Sequence, residues 1–437
     1  MELTGNIIVD TICRTAELGL TITDAADAGD ITYIHAHPIT VDPACPDCRE
    51  NGRLRDHVTR TLVDLPAFGF PVRLRVRVPR FTSATNTCQR RIYQTPLACA
   101  QAGSSVTRRV TRWVLQRLAL DRMSVQATAK VLGVGWDLVN SIALDACRSL
   151  IYDQPGHFDQ VRVLGVDEHV WKHTTRPGQP SKFVTIFVDL TPVIEGTGPS
   201  RLLDVVPGRS GVVVEQWLAQ RTEQFRSMVT TVAMDGFAGY ATAVGKQIPT
   251  AQKVMDPFHV VHLAAEKLTT CRQRLQRETS GRRGRTGDPL YKNRKTLLTR
   301  IDFLTDRQAQ RLEELWDTDD DYVVLEVTWI VYQMMIDAYA DKDRRVGKRR
   351  MWQLLASVRH GVPEGLEEVA SMGRSLWRRR HDIVAYFDRG VSNGPVEAIN
   401  GRLEHLRGIA LGFRNLDHYI LRCLIHSGQL QGRINAL

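Results

Sequence analysis

Two aspartates stand where apolar, strand-like segments end, and such a pair could bind metal ions. Asp167 follows the apolar residues 163–166, and Asp235 follows residues 232–234. A carboxylate at the end of a buried strand costs free energy unless something uses it. If the two strands are neighbours, the carboxylates converge and repel, and divalent cations relieve that repulsion by binding between them. Oxygen ligands with open coordination positions suit Mg²⁺, so the pair predicts a magnesium site.

A third acid, Glu397, lies in the first turn of a predicted helix. Ser392 and the sequence NGPVE after it offer a helix N-cap followed by proline in the first turn. Asn400 shares the face of Glu397 at the i, i+3 spacing, and Arg407 lies further along. Each of the three acids alone is better interpreted as a solvated carboxylate at the end of an element. The three together, in this order, indicate a catalytic centre.

Five apolar segments have the length and composition of buried strands, and they must position the two aspartates. A helical periodicity over residues 211–225 separates the third segment from the fourth. This order is that of an RNase H-like α/β core, in which the strands bearing Asp167 and Asp235 are neighbours. The predicted strands cover residues 162–168, 182–189, 201–206, 229–236 and 253–256.

The N-terminal region contains a cysteine pair, Cys45 and Cys48, at the CxxC spacing. Two thiolates at this spacing can bind one tetrahedral Zn²⁺, as they do in zinc ribbons. Cys88 offers a third ligand, but no cysteine closely precedes it, so the fourth ligand is open between Ser83, a poor zinc ligand, and His57, with Cys99 following at some distance. The alternative is a ribbon that has lost its metal and is held together by its small core.

Residues 72–78 alternate strictly between apolar residues and arginine, which predicts a strand with one buried face and one solvent face. The exposed face carries Arg73, Arg75 and Arg77, whose mutual repulsion a polyanion would relieve. The alternative is an edge strand that its charges protect from aggregation. Because the cysteine pair lies beside this strand, we favour nucleic-acid contact.

Residues 124–142 have the pattern of a DNA-binding helix-turn-helix. Ala129 is small where the two helices cross, and Gly133 supplies the permissive backbone of the turn. An ordinary helical hairpin is the alternative interpretation. The second helix is predicted to expose Trp136, Asp137, Asn140 and Ser141, and the preceding helix, at about 105–120, carries Arg108, Arg109, Arg112 and Arg117.

Composition sets the broad class of the protein. A chain of 437 residues with 43% hydrophobic and 24% charged residues can bury at least one large core in two to four domains. We find no apolar run of membrane-spanning length and no signal peptide. Eight scattered cysteines without a signal peptide favour a reducing cytoplasm over a disulfide-bonded scaffold.

The net charge of +10 is distributed unevenly. Residues 51–120 contain 13 arginines and two aspartates, with no lysine or glutamate. Three such regions could form an extended contact with a phosphate backbone, although any one alone is better interpreted as a solvated helix face. The other two regions are residues 261–300, with Arg272, Arg274, Arg277, Arg282, Arg283 and Arg285, and the basic stretches 342–350 and 378–380.

Four motifs together resemble those of bacterial insertion-sequence transposases with an acid triad, and specifically the ISL-three family. They are VDE around Asp167, AMDGF around Asp235, D-x-FHV around His259 and SNGPVEAIN around Glu397. The resemblance covers essentially the whole chain and implies a zinc ribbon, a helix-turn-helix and an RNase H-like core with an α-helical insertion. The chain departs from the family at Ser83, where such ribbons carry a cysteine, which leaves a metal-free ribbon or a decayed copy open.

The resemblance implies a division into six parts. They are an N-terminal segment 1–40, a zinc-ribbon-like module 41–100, a helix-turn-helix domain 101–155, the first part of the core 160–262, a helical insertion 263–385 and the last core helices 386–437 with the catalytic Glu397. Within the insertion, helices are predicted around 305–316 and 323–340, with a mobile polar loop at 279–288.

The function that this resemblance implies is Mg²⁺-dependent cleavage and transfer of DNA strands, with Asp167, Asp235 and Glu397 holding two Mg²⁺ ions. The partners would be terminal inverted repeats, target DNA and a second copy of the chain, with no membrane. His259 could position the DNA end or a water, or be structural. A non-enzymatic transcription regulator and an RNase H-like nuclease without joining activity remain alternatives. Predicted DNA contacts are Arg73, Arg75, Arg77, Arg90, Arg91, Arg108, Arg109, Arg112, Trp136, Asn140, Ser141, Asn400 and Arg407.

Overall fold

The structure is a computed structural model that describes residues 3–173, 182–281, 284–285, 287–360 and 362–437. The chain divides into two compact units. The first unit comprises residues 1–157 and 401–437, and the second comprises residues 158–400. The six-part division drawn from the sequence remains a prediction, and the structure groups residues 401–437 with the N-terminal part rather than with the core.

A five-stranded sheet forms the N-terminal part of the first unit, after helix α1 (Leu3–Cys13). The strand with alternating arginines, β4, lies between β2 and β3, so the edge-strand interpretation was wrong. Within residues 72–78 the apolar side chains are buried and two of the arginines, Arg75 and Arg77, are exposed, as the alternation predicts. The strands are β1 (Leu20–Ala28), β2 (Ile31–Pro38), β3 (Arg53–Ala67), β4 (Phe70–Thr82) and β5 (Ile92–Gln94).

Three helices follow in the first unit: α2 (Arg108–Ala119), α3 (Val125–Leu132) and α4 (Trp136–Ile151). Ser124 caps α3 by accepting a hydrogen bond from the backbone of Ala127 at 3.0 Å. Gly133 ends α3 with a φ of 61°, and a Cβ there would lie 2.9 Å from Pro71. Both the conformation and the space therefore require glycine in this turn.

The second unit contains a second five-stranded sheet, ordered β10-β9-β6-β7-β8. Strand β7 pairs antiparallel with both β6 and β8, whereas β9 pairs parallel with β6 and β10 pairs parallel with β9. All five predicted strands are present. Their bounds, with those of the intervening helices, are β6 (Val163–Lys172), β7 (Lys182–Asp189), α5 (Thr191–Ile194), β8 (Arg201–Pro207), α6 (Gly211–Ala219), α7 (Glu223–Met228), β9 (Thr231–Met234), α8 (Ala238–Gln247) and β10 (Gln252–Met255).

The core of this sheet is apolar and aromatic. Leu164, Val166 and Phe187 are fully buried, and the ring of Phe187 stacks on Trp217 of α6 with 3.8 Å between the ring centroids. This packing holds β6 rigidly, since densely packed cores tolerate little displacement. The backbone that carries Asp167 on β6 is therefore held in a fixed position.

A bundle of helices follows the sheet, as the sequence predicts. Among the described residues one helix, spanning Asp320–Ala340, is long and apolar enough to cross a membrane, so the expectation of no such run was wrong. Leu325, Met335 and Ala338 of this helix are buried in the apolar core of the bundle, which accounts for its composition. The helices are α9 (Pro257–Ser280), α10 (Pro289–Lys292), α11 (Asp306–Trp316), α12 (Val323–Ala340), α13 (Arg344–Ser357), α14 (Glu367–Arg378) and α15 (Arg380–Arg389).

The predicted loop at 279–288 begins after α9, which continues to Ser280. Arg282 and Arg283 of the second basic region lie outside the described residues, as does residue 286. Arg274 is structural, because it forms an ion pair with Glu368 at 2.9 Å between α9 and α14. Arg272 is buried and hydrogen-bonded to Gln276 at 2.6 Å. These two arginines therefore do not belong to an exposed basic surface.

Three helices complete the chain: α16 (Gly394–Ile409), α17 (Leu416–Ser427) and α18 (Gln431–Asn435). Helix α16 begins in the second unit and continues into the first. Helix α17 packs on α4 and α2, and the thiol of Cys147 donates a hydrogen bond to the carbonyl of Leu421 at 3.2 Å. The C-terminal helices thus extend the three-helix group of the first unit.

Candidate functional site

Asp167 and Asp235 lie side by side at the second sheet. Strands β6 and β9 are parallel, with Val166 paired to Met234. Asp167 is the next residue of β6, which continues to Lys172, so the predicted end of this strand at residue 168 was wrong. Asp235 directly follows the last residue of β9, so the two aspartates are neighbours where β9 ends. Asp167 is only 4% exposed, whereas Asp235 is half-buried and accepts a hydrogen bond from the backbone of Phe237 at 2.8 Å. The sequence prediction that the two carboxylates converge agrees with this register.

Helix α16 presents Glu397 in its first turn. The helix approaches β6 very closely, because a Cβ on Gly165 would lie 2.5 Å from Cγ2 of Val396 and 3.1 Å from Leu190. Real Cβ contacts are never this short, so only glycine at position 165 permits the approach. Gly165 thereby determines how near Glu397 comes to the strand that carries Asp167.

Asp256 ties the start of α16 to the sheet, a role that the sequence analysis did not anticipate. Its backbone amide donates to Met234 at 2.9 Å, and its carboxylate caps α9 by accepting from the backbone of Phe258 at 3.1 Å. The other carboxylate oxygen accepts from the backbone of Asn393 at 2.7 Å. Its position in the sequence was the available signal, since Asp256 directly follows the buried strand β10 as Asp235 follows β9.

Asn400 links α16 directly to Asp167. Its Nδ2 donates to Oδ2 of Asp167 at 3.1 Å, and the backbone of Glu168 donates to Oδ1 at 2.8 Å. The Oδ1 atom of Asn400 is buried and makes no hydrogen bond within the described residues. The predicted i, i+3 pairing of Glu397 with Asn400 therefore brings both side chains to the aspartate.

The electrostatics of the site are those of crowded carboxylates. Burial raises the pKa of Asp167 to about 7, and the charges of Glu397 and Asp235 contribute to the rise. Glu397 and Asp235 are thus near enough to Asp167 to disfavour its ionisation. A divalent cation would reverse this preference, because it stabilises the ionised forms.

Hard oxygen donors make this site suitable for Mg²⁺. Asp167, Asp235 and Glu397 supply carboxylates, and the unpartnered Oδ1 of Asn400 is a further oxygen donor. The carboxylates are spaced more widely than a closed cage requires: in the described part of the chain, only the cysteine group discussed below has all its ligand atoms within 4.8 Å of one another. The residues therefore fit a site that shares its cations with a substrate.

His259, on the first turn of α9, lies next to this group. Its Nδ1 atom is 3.5 Å from Oδ2 of Asp256. Contact with Asp256 raises the pKa of His259, and the charges of Asp235 and Asp167 add to the effect. The imidazole therefore supplies a cationic or proton-donating group beside the carboxylates.

The three predicted zinc-ligating cysteines come together in the first unit. The ligand atoms of Cys45, Cys48 and Cys88 all lie within 4.8 Å of one another, with 3.8 Å between the sulfur atoms of Cys45 and Cys88. Oγ of Ser83 is 3.9 Å from Sγ of Cys48. Of the two residues left open as a fourth ligand, Ser83 is therefore at the cluster.

The three cysteines of this cluster are good zinc ligands, whereas Ser83 is a poor one. Hydrogen bonding with the backbone at Glu50 and with the Thr85 hydroxyl lowers the pKa of Cys48 to about 7. Thiolates are the form that binds Zn²⁺. Three thiolates at this separation fit three corners of a tetrahedral site, and the Ser83 hydroxyl stands beside the fourth.

Two arginines of the β4 stripe are already engaged within the protein. Arg73 donates to the backbone carbonyls of Leu132 and Gly133, at 3.2 and 2.5 Å, and so holds the turn between α3 and α4. Arg75 lies over the ring of Tyr33, 4.5 Å from its centroid. Arg77 remains exposed. The stripe is therefore partly a structural support for the helices.

The other arginines predicted to contact DNA differ in their exposure and in whether they already pair with groups of the protein. Arg109 is committed to the buried Asp64, to which its Nε donates at 2.8 Å. Arg90 pairs with Asp47 at 2.9 Å, and Arg407 pairs with Glu404. Arg91 is exposed and Arg112 is half-buried, while Arg108 is exposed and donates to the carbonyl of Ala98 at 3.2 Å.

Helix α4 exposes three of the four side chains predicted for its DNA face. Trp136, Asp137 and Ser141 are exposed. Asn140 is only 6% exposed, so its predicted exposure was wrong. It lies one residue after the buried Val139, on the side of α4 that packs against neighbouring helices.

Comparisons with known proteins give one consistent result. Residues 164–423 match a family model described as a transposase, of the DDE type and the ISL3 family. Residues 42–82 match a model described as the zinc-finger of the transposases of IS204, IS1001, IS1096 and IS1165. The two matched ranges include all three acids of the site and the first two cysteines of the cluster.

Two relatives are similar along most of their length. The transposase for insertion sequence element IS1001 of Bordetella parapertussis is 24% identical over 420 residues, which cover 91% of each chain. The transposase for IS1557 of Mycobacterium tuberculosis is 24% identical over 337 residues, which cover 71% of each chain. With the family model matching more than half of the sequence, the chain belongs to the ISL3 family of DDE transposases.

Proposed function

We propose that this protein binds the terminal inverted repeats of an insertion sequence and catalyses Mg²⁺-dependent strand cleavage and strand transfer with Asp167, Asp235 and Glu397. The observation that carries the proposal is the parallel register of β6 and β9, which makes Asp167 and Asp235 neighbours. The close approach of α16 at Gly165 supports it by bringing Glu397 to the same strand. We infer that the sheet is an RNase H-like core, since three antiparallel strands are followed by two parallel ones.

The carboxylates of Asp167, Asp235 and Glu397 would hold two Mg²⁺ ions. Bound Mg²⁺ polarises phosphoryl oxygens and lowers the pKa of coordinated water. Asn400 keeps the carboxylate of Asp167 in one orientation through its Nδ2 hydrogen bond. His259, whose pKa is raised by its contact with Asp256, would help to position the DNA end or a water beside the carboxylates.

Two displacements at phosphorus account for cleavage and joining. In the first, water attacks the phosphodiester at the element's end, and the 3′-hydroxyl leaves. In the second, that 3′-hydroxyl attacks target DNA, and a target 3′-oxygen leaves. Neither step forms a bond to the protein, so no nucleophilic side chain is needed. Pairing two ends requires a dimer in the DNA-bound complex, and action on DNA places the protein in the cytoplasm with the nucleoid.

DNA binding is assigned to the first unit. We propose that α3 and α4 form a helix-turn-helix, in which Trp136 and Ser141 face a groove. Arg77, Arg91, Arg108 and Arg112 supply phosphate contacts, which would make affinity strongly dependent on salt. The cysteine cluster would bind zinc and hold the strand ends of the ribbon together.

A strand-transfer assay tests the proposal. The full chain is incubated with Mg²⁺, a labelled duplex that carries one end of the element, and a plasmid target. We expect cleavage at the end and joining to the plasmid, both abolished by Asp167→Asn. An exposed acid outside the site, Glu223→Gln, is the matched control and should leave both steps intact.

Three outcomes would contradict the proposal in different ways. Cleavage without joining identifies a nuclease. Specific binding of the end without either reaction identifies a regulator. Full activity of Asp167→Asn removes the acid triad from the mechanism.

A further inference from the structure

The first unit contains a cavity of about 730 Å³ that the reaction described above does not use. Its walls come from the starts of α3 and α4, the end of α16, residues 410–415 and α17. Most of these walls are apolar, and they include Leu406, Ile409, Phe413 and Trp136. A cavity of this volume is within the range of small-molecule binding sites.

A buried arginine with an unpartnered guanidinium nitrogen lines this cavity. Arg422 of α17 lines it and is only 4% exposed. Its Nη1 atom is buried and makes no hydrogen bond within the described residues, and the groups that interact with its charge are the thiols of Cys423 and Cys147. Burial lowers the pKa of Arg422 to about 10. An uncompensated buried cation is strongly unfavourable, so its retention points to an acceptor supplied from outside the protein.

The charges around the cavity have one sign. Arg414 and His418 also line it, and none of its lining residues is an aspartate or glutamate. Close by, Arg122, Arg402 and Arg422 act together to lower the pKa of His426 to about 4, after burial itself. The ligand must therefore present hydrogen-bond acceptors or negative charge.

Shape distinguishes between the parts of DNA that could supply such acceptors. A phosphate in an intact duplex stays at the surface and cannot reach a guanidinium that is almost fully buried. A base swung out of the duplex can, since it is flat, largely apolar on its faces and rich in acceptors on its edge. Arginine binds such acceptor edges with two parallel hydrogen bonds, and aromatic rings stack on the faces. Trp136, which is 43% exposed, offers its ring at the same cavity.

We propose that this cavity receives an unpaired nucleotide of the bound DNA, with the base against the apolar wall and its acceptor edge on Arg422. Buried Asn140, which also lines the cavity, supplies a further amide for that edge. The inference rests on the proposed function, because it requires that the first unit bind DNA. The proposal also gives a role to Asn140, which helix packing buries and which therefore does not face a groove of the DNA.

Binding of two duplex probes tests the proposal. The full chain is titrated, without added Mg²⁺, into a fluorescein-labelled blunt duplex and into the same duplex with a short unpaired overhang. We expect the overhang probe to bind roughly tenfold tighter, the ratio that one good arginine–base contact provides. When 2-aminopurine occupies the overhang, its emission should fall on binding as it stacks.

Variants connect this preference to the cavity. Arg422→Met should bring the two affinities to within about twofold, and it should not lower the melting temperature, because it removes an uncompensated buried charge. Trp136→Ala changes an exposed side chain and should abolish the 2-aminopurine response. Arg148→Met is the matched control, since this exposed arginine of α4 pairs with Asp145, and it should keep the preference for the overhang.

Equal affinity of the unaltered protein for the two probes would overturn the proposal. So would a preference for the overhang that survives both Arg422→Met and Trp136→Ala. Failure to bind either probe at low salt would instead overturn the proposed DNA function, and the assignment of the cavity with it.

Discussion

Asn400 donates a hydrogen bond of 3.1 Å from its Nδ2 to Oδ2 of Asp167, and so joins helix α16 to strand β6 across 233 residues of chain. The bond has a consequence for the proposed chemistry. Asp167 is the most buried of the three acids, and the side chain that orients it lies one helical turn after Glu397. One helix, α16, thus carries both Glu397 and Asn400, which are far from Asp167 in the sequence.

Asn400→Ala should reduce Mg²⁺-dependent cleavage by roughly 10- to 100-fold, the usual effect of removing a group that orients a metal ligand. Asn400→Asp should be as poor, because it adds a fourth negative charge to the site. Calorimetric titration with Mg²⁺ should show weaker binding for the alanine variant. The control is Gly401→Ala on the same helix, where an added Cβ meets nothing within 4 Å. Unchanged Mg²⁺ affinity in Asn400→Ala would contradict the orienting role.

Asp167→Asn should stabilise the protein without metal while abolishing cleavage. The folded-state pKa of about 7 lies above the ordinary 3.8, so folding disfavours the ionised form. At pH 8 the side chain is ionised in both states, and its burial costs about 2 to 4 kcal/mol, which asparagine does not incur. Thermal melting in a chelator-free, Mg²⁺-free buffer checks this expectation.

The gain in stability should depend on pH in a definite direction. It should be largest above pH 7, and it should decline as the pH falls from 7 toward 4, because Asp167 then becomes protonated in the folded state. A gain that grows on acidification would contradict the assigned shift.

Gly165→Ala should displace the start of α16, since the new Cβ would lie 2.5 Å from Val396. Overpacking of this kind typically costs about 1 to 3 kcal/mol, and cleavage should fall because Glu397 moves with the helix. The double variant Gly165→Ala/Val396→Ala should recover activity by restoring space. Gly245→Ala in α8 is the control, because its Cβ would meet only the flexible end of Lys253 at 3.7 Å. Normal activity of the single variant would argue against the close approach.

Ser83→Cys should complete a four-thiolate zinc site. Oγ of Ser83 already lies 3.9 Å from Sγ of Cys48, so a sulfur atom there is close to the spacing between the other ligands. Retention of zinc against a chromogenic chelator should increase at least about tenfold over the unaltered protein. Cys88→Ser should lose zinc, whereas the buried Cys99, which lies in a different core cluster, should tolerate Cys99→Ala without losing it.

His426 should make the first unit sensitive to acid. Burial lowers its pKa to about 4 from the ordinary 6.5, with neighbouring cations adding to the effect. The unfolded state therefore binds a proton below pH 6.5 that the folded state does not bind until about pH 4. The resulting loss of stability, about 1 to 2 kcal/mol at pH 5, should be absent in His426→Gln. Melting temperatures at pH 8 and pH 5 compare the two proteins, and an equal loss in both would contradict this origin.

Local sequence patterns are sufficient to predict most of the strands and helices that carry the candidate site. Period-two alternation predicts β4 because alternate side chains of a strand point to opposite faces, and apolar runs ending in Asp167 and Asp235 predict buried strands. The capping pattern before Glu397 predicts α16. These features depend on neighbours within a few residues, so local patterns are sufficient to reveal them.

Other features depend on contacts between segments that are far apart in the sequence, so they are visible only in the folded structure. The middle position of β4, the commitment of Arg109 to Asp64 and the burial of Asn140 all depend on segments distant along the chain. The tie between Asp256 and Asn393 and the unpaired charge of Arg422 have the same origin. A residue's type fixes what it can bind, but the partner that packs against it decides whether it faces solvent, another residue or a ligand, and that choice is made only when the chain folds.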